Sequence, residues 1–380
     1  MTIGFVLKNA RLVLSSEIVT GAVRVQDGVI CDVHRGPLSS AEAVDLEGDY
    51  LIPGLIDVHT DNLERHIMPR NNAEWPVMAA LVAHDAQVAA AGITTVLDSL
   101  CVGTTGVGVR SFKKVKETIA LLGTGKRKQM FRSEHLLHLR AELSNEHMPS
   151  MFAEVYEDPD VLLVSLMDHT PGQRQWADLE KYLAMEKRDH KLTEQGMSEL
   201  VRTLQENRER FSQPNRSAVL AMLSGRSVVL ASHDDTTLEH VEEAHAEGIQ
   251  ISEFPTTVLA AAAAREKKMH IIAGSPNLVL GRSHSGNVSV SELARLRLLD
   301  VLSSDYAPSS LLYGAFLLAA NLDMDLHEAL NMVTLSPARL VGLEDRGSIE
   351  EGKRADLVRV RKVGEIPLVT AVWRAGVRVV

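Results

Sequence analysis

Apolar runs of strand length alternate along most of the chain with longer stretches whose apolar positions recur at helical spacing. This alternation predicts βα units built around a parallel sheet. Eight apolar runs can be counted, which is the number that a closed (β/α)8 barrel requires. We therefore predict the α/β class and a distorted (β/α)8 TIM-type barrel, with strands near residues 55–59, 93–98, 136–143, 161–168, 227–232, 249–254, 270–273 and 299–304.

The two ends of the chain have a different pattern, with short strands separated by Gly-containing turns. Their similar character predicts one composite β-sandwich domain from residues 1–50 and 346–380, beside a barrel of residues 51–345. A long, charged segment of helical pattern at about residues 173–215 interrupts the barrel after its fourth strand. This insertion is either a solvated helical pair or a lid or subunit contact.

Composition narrows the range of functions. The chain has 380 residues, of which 45% are hydrophobic, enough for a large core. A formal net charge of -10 and an aromatic content of 4% argue against nucleic-acid binding. No apolar run has membrane-spanning length, and only Cys31 and Cys101 are present. We expect a cytoplasmic protein with both cysteines reduced and no contact with a membrane.

The first predicted barrel strand ends in His59 and Asp61, separated by one residue. Because side chains alternate along a strand, both point to the same side, where an imidazole nitrogen and a carboxylate can meet. A divalent metal accepts this pair of ligands. An isolated His-x-Asp also occurs as a hydrogen-bonding cap of a core strand, so the remaining strand ends decide between the two interpretations.

Several other predicted strands also end in histidines or carboxylates, and the active site of a barrel lies at these ends. Together these groups would crowd negative charge around one axis, and a pair of divalent cations would offset the repulsion. Asp98, after the second strand, either supports this site or is purely structural. The residues are Glu142 after the third strand, Asp168 and His169 after the fourth, His233 and Asp234 after the fifth, and Asp305 after the eighth.

The loop of residues 274–289 follows the seventh predicted strand and is rich in small hydrogen-bond donors. Barrels frequently bind phosphate in the loops after their seventh and eighth strands. Loops rich in Gly, Ser and Asn are also common as plain turns, so both interpretations stay open. The candidate substrate-binding residues here are Asn277, Arg282, Ser283, His284 and Asn287.

Longer motifs identify a family. The strand PGLIDVHTD (53–61) and the terminal GSIEEGKRADLV (347–358) resemble the amidohydrolase superfamily of metal-dependent barrel hydrolases. HTDNLE (59–64), SLMDHTPGQRQ (165–175), LASHDD (230–235), EFPTT (253–257), SHSGN (283–287) and LSSDY (302–306) resemble the PhnM family within it. These are the α-D-ribose 1-methylphosphonate 5-triphosphate diphosphatases of the carbon–phosphorus lyase pathway, and the resemblance covers nearly the whole chain.

The resemblance implies hydrolysis of a ribose 5-triphosphate that bears a 1-phosphonate, releasing pyrophosphate and leaving the 5-phosphate. It implies one or two divalent metals, with zinc expected and manganese or iron as alternatives. Glu134, His135 and His138 are alternatives to Glu142 as the bridging ligand. The implied metal ligands are His59, Asp61, Glu142, His169, His233 and Asp305, with Asp305 and His233 also catalytic.

A highly anionic substrate requires a locally basic pocket in this acidic chain, and arginine suits bidentate phosphate contacts. Beside the motifs lie Asn62, Arg65, Arg140 and Arg174, which join the loop residues as expected substrate contacts, while Asp98, Asp234 and Glu253 are expected to support the ligands. The expected partners are this small molecule and a second copy of the chain in a homodimer. The alternatives are a cyclic amidase or nucleobase deaminase, and a catalytically silent assembly protein.

Overall fold

A parallel eight-stranded sheet forms the centre of the molecule in the computed structural model, which describes residues 4–70, 73–104, 110–189, 193–283 and 286–380. The order of its strands follows the order of the chain, and an isolated bridge between Thr60 and Asp305 joins the first strand to the end of the last. The predicted barrel and its eight strands are therefore confirmed. The strands are β6 (Leu55–Thr60), β7 (Ile93–Val102), β8 (Glu134–Glu142), β9 (Val161–Met167), β10 (Val229–His233), β11 (Ile251–Glu253), β12 (His270–Gly274) and β13 (Val301–Ser303).

Helices surround the barrel and cover its outer face. Their buried side chains are mostly apolar, and some of them are small. Ala260, Ala261 and Ala264 of one helix are fully buried, which allows that helix to approach the sheet closely. The helices are α1 (Asn62–Ile67), α2 (Val77–Ala90), α3 (Phe112–Arg127), α4 (Met148–Ala153), α5 (Leu179–Asp189), α6 (Glu194–Leu223), α7 (Leu238–Ala246), α8 (Val258–Glu266), α9 (Ser275–Leu280), α10 (Val290–Arg295), α11 (Ser310–Asn321), α12 (Leu326–Asn331) and α13 (Leu335–Leu340).

The two ends of the chain combine in a second, mostly antiparallel sheet, as predicted. Strands from both termini pair directly, since the strand of Tyr50–Pro53 lies between those of Gly4–Val13 and Leu357–Val363 in one continuous hydrogen-bonded sheet. Leu12, Ile30, Leu357 and Trp373 belong to its core. The domain boundaries at residues 50 and 346 stay a prediction. The strands are β1 (Gly4–Val13), β2 (Ile18–Gln26), β3 (Val29–Arg35), β4 (Val44–Asp45), β5 (Tyr50–Pro53), β14 (Leu357–Val363), β15 (Ile366–Arg374) and β16 (Val377–Arg378).

An ion-pair cluster links the C-terminal segment to the barrel. Glu134, at the first residue of β8, accepts hydrogen bonds from Arg346 at 2.8 Å and from Arg354. Arg346 also donates to the hydroxyl of Thr95 at 2.9 Å. Burial alone would raise the pKa of Glu134, but Arg354 and Arg346 lower it to about 2. The cluster therefore holds the segment before β14 against the barrel wall.

The segment of the expected insertion is helical in the structure. It comprises a short 3₁₀ helix (Arg174–Trp176), α5 and most of α6.

Cys31 and Cys101 are both free thiols. Within the described ranges, no helix combines the length and the apolar character that crossing a bilayer would require.

Candidate active site

A cavity of about 930 Å³ opens at the carboxyl end of the barrel strands. This is the end at which barrel enzymes carry their active sites. All six residues for which the resemblance implies metal binding line this cavity, although β6, β8, β10 and the loops after β9 and β13 are far apart in the chain. The six are His59, Asp61, Glu142, His169, His233 and Asp305.

Glu253, the last residue of β11, is fully buried and contacts two of these imidazoles at once. Its carboxylate accepts hydrogen bonds from Nδ1 of His59 at 2.7 Å and from Nδ1 of His233 at 2.6 Å, together with the hydroxyl of Ser165 at 2.7 Å. Burial alone would raise the pKa of Glu253, but His59, His138 and His233 hold it well below its usual range. A carboxylate at Nδ1 favours the tautomer that has its proton on Nδ1 and leaves Nε2 available as a metal ligand.

His169 has a similar arrangement on the other side of His233. Its Nδ1 lies 2.6 Å from the Glu142 carboxylate, and its Nε2 lies 3.8 Å from Oδ2 of Asp234. The same Asp234 oxygen lies 3.4 Å from Nε2 of His233. The structure thus places Glu142 as a hydrogen-bond partner of His169, and it places Asp234 on the Nε2 side of both imidazoles.

Asp305 is held by the last residues of β6 and by Asp61, which follows that strand. Its backbone N–H donates to the carbonyl of His59 at 3.0 Å, and its own carbonyl accepts from Asp61 N–H at 3.1 Å and from Thr60 Oγ1 at 2.8 Å. Asp234 and Asp305 both have positive φ angles, of 56° and 53°, an uncommon conformation for a residue other than glycine. Burial, followed by the nearby Asp61 carboxylate, raises the pKa of Asp305 to about 6.

These donor atoms fit divalent metal ions. Nε2 of His169, Nε2 of His233 and a carboxylate oxygen of Asp234 lie within 4.8 Å of one another. An imidazole that ligates a metal typically donates its other N–H to a carboxylate, and His59, His233 and His169 all have such a carboxylate at Nδ1. The arrangement therefore matches that of metal-binding histidines.

Arginines surround the carboxylates of the cavity. Arg140 of β8 is buried and lies 3.8 Å from Asp61. Arg110 also lies 3.8 Å from Asp61 and donates to Glu64 at 2.9 Å. Arg65, which lies over the ring of Tyr306, lines the cavity too. Of the loop candidates, Asn277, Arg282, Ser283 and Asn287 line the cavity, and His284 lies outside the described residues.

Two expected substrate contacts lie away from the cavity, which corrects their placement. Asn62 is buried, and its side-chain amide donates to Gln87 and contacts Nδ1 of His84, each at 3.0 Å. Arg174 is buried because its guanidinium donates to the carbonyl of His233 at 2.7 Å and to Asp235 at 3.0 Å. Neither side chain lines the cavity at the carboxyl end of the strands.

Asp98 also lies apart from the candidate ligands. It accepts from Nε2 of His84 at 2.8 Å and from Nδ1 of His135 at 2.7 Å, and all three residues are buried. Asn62, the residue after Asp61, contacts His84 of this network. Asp98 therefore reaches the candidate ligands indirectly, through His84 and Asn62 and through the pairing of its own strand with Thr60 of β6, and its supporting role stays a prediction.

The structure adds cavity residues that were not predicted as site residues from the sequence, among them Arg110, Asn145, His147 and Tyr306. Each follows a barrel strand by a few residues, so attention to whole strand-end loops, rather than to their first residues, would have found them. The insertion also contributes lining residues.

The chain is similar in sequence to a known protein. A curated protein of Escherichia coli strain K12, alpha-D-ribose 1-methylphosphonate 5-triphosphate diphosphatase, is 43% identical over 376 residues, covering 98% of this chain and 100% of that protein. The chain belongs to this diphosphatase family. An amidohydrolase family model matches residues 229–380, which agrees with the superfamily.

Solved structures show that the fold is shared with other amidohydrolases. N-acetyl-D-glucosamine-6-phosphate deacetylase from Mycobacterium smegmatis has a TM-score of 0.66 at 17% identity, covering 99% of this chain and 100% of that one. The deacetylase from Thermotoga maritima has a TM-score of 0.64 at 15% identity, covering 100% and 99%. At these identities the likeness concerns the barrel and the second sheet only.

Proposed function

We propose that this diphosphatase-family chain hydrolyses α-D-ribose 1-methylphosphonate 5-triphosphate to the 5-phosphate and pyrophosphate, in phosphonate catabolism through the carbon–phosphorus lyase pathway. The observation that carries the proposal is the convergence, in one cavity, of paired imidazoles and carboxylates with the buried cation Arg140. The cleaved bond is a phosphoanhydride of the triphosphate. Water supplies the oxygen that replaces the pyrophosphate leaving group.

His59, Asp61, His169, His233 and Asp305 are the proposed metal ligands. Asp234 joins them in this proposal, because its carboxylate lies on the Nε2 side of two imidazoles, and Glu142 either bridges or orients His169. Zinc, at one or two positions, suits this mixture of nitrogen and oxygen donors, with manganese or iron as alternatives. A bound divalent metal supplies Lewis acidity that lowers the pKa of water and offsets charge on phosphate oxygens.

The side chains of the chain itself move and hold the proton. In this proposal Asp305, which lines the cavity beside the other candidate ligands, would accept a proton from the attacking water and return it to the leaving group. Glu253 keeps the protons of His59 and His233 on Nδ1, away from the reacting atoms. Arg140 and Arg110 are placed to neutralise phosphate oxygens.

The same arginines weigh against a cyclic amidase or a nucleobase deaminase, because a neutral substrate has no need of them. Four line the cavity among the described residues: Arg65, Arg110, Arg140 and Arg282. The presence of every proposed ligand weighs against a silent assembly protein. A cytoplasmic location is proposed on the two free thiols. A homodimer is a separate proposal, which light scattering after size-exclusion chromatography tests.

Pyrophosphate release from a panel of ribose 5-triphosphates and nucleoside triphosphates tests the function. We expect release to be fastest with the 1-phosphonate, to stop on chelation and to be lost in His59→Ala. His270→Ala is the matched control, because His270 is exposed at the first residue of β12, at the opposite end of the barrel strands. Absence of pyrophosphate from every triphosphate, with metal bound, would refute the proposal.

A further inference from the structure

The insertion forms part of the wall of the active-site cavity. Every described side chain that it presents there is uncharged, whereas the arginines of the cavity come from other parts of the chain. The cavity therefore has a cationic region and a neutral region. The residues of the neutral region are Gln175, Trp176, Tyr182, Leu204 and Asn207.

The base of the insertion is fixed to the barrel by hydrogen bonds. Arg208 and Ser212 donate to the carboxylate of Asp168 at 3.0 and 3.1 Å. Asn215 donates to two backbone carbonyls after β8, at 2.8 and 2.7 Å. Arg174, at the start of the insertion, donates to the carbonyl of His233, beside the candidate metal site. These contacts hold the neutral region of the cavity, here called the neutral wall, in place. Little conformational entropy of the protein is therefore lost when a ligand binds to it.

The chemistry of this wall suits a polar but uncharged group. Trp176 is half-buried, and its ring meets that of Tyr182 edge to face, with centroids 5.6 Å apart. The side-chain amides of Gln175 and Asn207 line the same wall. An aromatic face with a few neutral hydrogen-bonding groups is a typical lining for the part of a small molecule that carries no charge.

We propose that the insertion is a specificity element that recognises the ribose of the substrate. The ring of Trp176 covers a face of the sugar, and the amides of Gln175 and Asn207 bond its hydroxyls, while the arginines hold the phosphates. This assignment rests on the proposed function, because it takes the triphosphate to lie at the candidate metal site. It also favours a role in substrate binding over the interpretation of the insertion as a solvated helical pair.

Comparison of two substrates tests the proposal. Inorganic triphosphate carries the same anhydride bonds without a sugar, so it probes the cationic region alone. We expect Trp176→Ala to lower kcat/KM for the ribose 5-triphosphate, chiefly through KM, by about five- to tenfold more than for inorganic triphosphate. Trp176→Phe should retain most of this preference. Trp75→Ala, at an exposed tryptophan away from the cavity, should leave the ratio of the two kcat/KM values at its wild-type level.

Binding of ribose 5-phosphate, measured by titration calorimetry against inorganic triphosphate, separates this proposal from the reaction itself. Selective weakening of ribose 5-phosphate binding in Trp176→Ala supports recognition of the sugar by the neutral wall, even if the wild type hydrolyses no triphosphate. An equal loss of affinity for both ligands, or no loss for either, would refute recognition of the sugar by the neutral wall and would leave the proposed reaction intact. Unchanged thermal unfolding of the variant excludes a general loss of structure.

Discussion

Replacing Glu253 with glutamine should weaken metal binding while leaving the shape of the site unchanged. Glutamine keeps one carbonyl oxygen but puts an amide N–H₂ where the second carboxylate oxygen was. Because that oxygen pair accepts Nδ1–H from both His59 and His233, the amide must face one imidazole donor with another donor. That imidazole then loses its partner or moves its proton to Nε2, the atom proposed to bind metal.

The magnitude follows from the bond that is lost. A hydrogen bond to a charged group contributes about 1.5–3 kcal/mol, and removal of a partner behind a metal-binding histidine typically lowers metal affinity about 10- to 100-fold. We expect a loss of that size for Glu253→Gln. It should affect zinc affinity more than the free energy of unfolding of the metal-free chain.

Competition with a chromophoric chelator measures the zinc affinity of the purified variant directly. Asp300→Asn is the matched control, because Asp300 accepts from the backbone N–H of Ile271 and from Arg265 and contacts none of the candidate ligands. Zinc affinity of Glu253→Gln within about twofold of the wild type would refute the orienting role of Glu253.

Two further predictions concern stability. Burial alone would lower the pKa of His135, but Asp98 and Asp85 raise it to about 9. Because this exceeds the unfolded value of about 6.5, a stabilisation on the order of 2–3 kcal/mol is complete below that pH and is lost as pH rises to about 9. Thermal melts across this range should fall more steeply in the wild type than in His135→Gln; equal slopes would contradict the assignment. Glu134→Gln should lower the free energy of unfolding by about 2 kcal/mol near neutral pH, and this difference should disappear as pH falls from about 4.5 to about 2, since the Glu134 pKa is lowered. Urea denaturation measures it, and equal midpoints near neutral pH would count against the ion-pair cluster.

The barrel was predictable because its strands are local patterns. Each apolar run of strand length is bounded by turn or helix signals within a few residues, so all eight strands were found, and the residues at their ends follow directly. The ends of β6 and β10 could therefore be used to predict that His59 and His233 lie in one cavity, without knowledge of the tertiary structure.

The direction of individual polar side chains was less predictable, because it depends on partners far away in the chain. Asn62 follows a candidate ligand, yet it turns inward to His84 and Gln87 on α2. Arg174 lies in a family motif, yet its partners are on and after β10. The double role of Glu253 depends on two histidines at separations of 194 and 20 residues, and no local pattern encodes that convergence.

The contact between Thr60 and Asp305 also has a consequence for the order of folding. These residues are 245 positions apart, so their pairing closes a long loop, and long-range contacts of this kind form late. The candidate site cannot be complete until the last barrel strand docks against the first. Metal uptake should therefore lag behind helix formation during refolding, and bound metal would report that the barrel has closed.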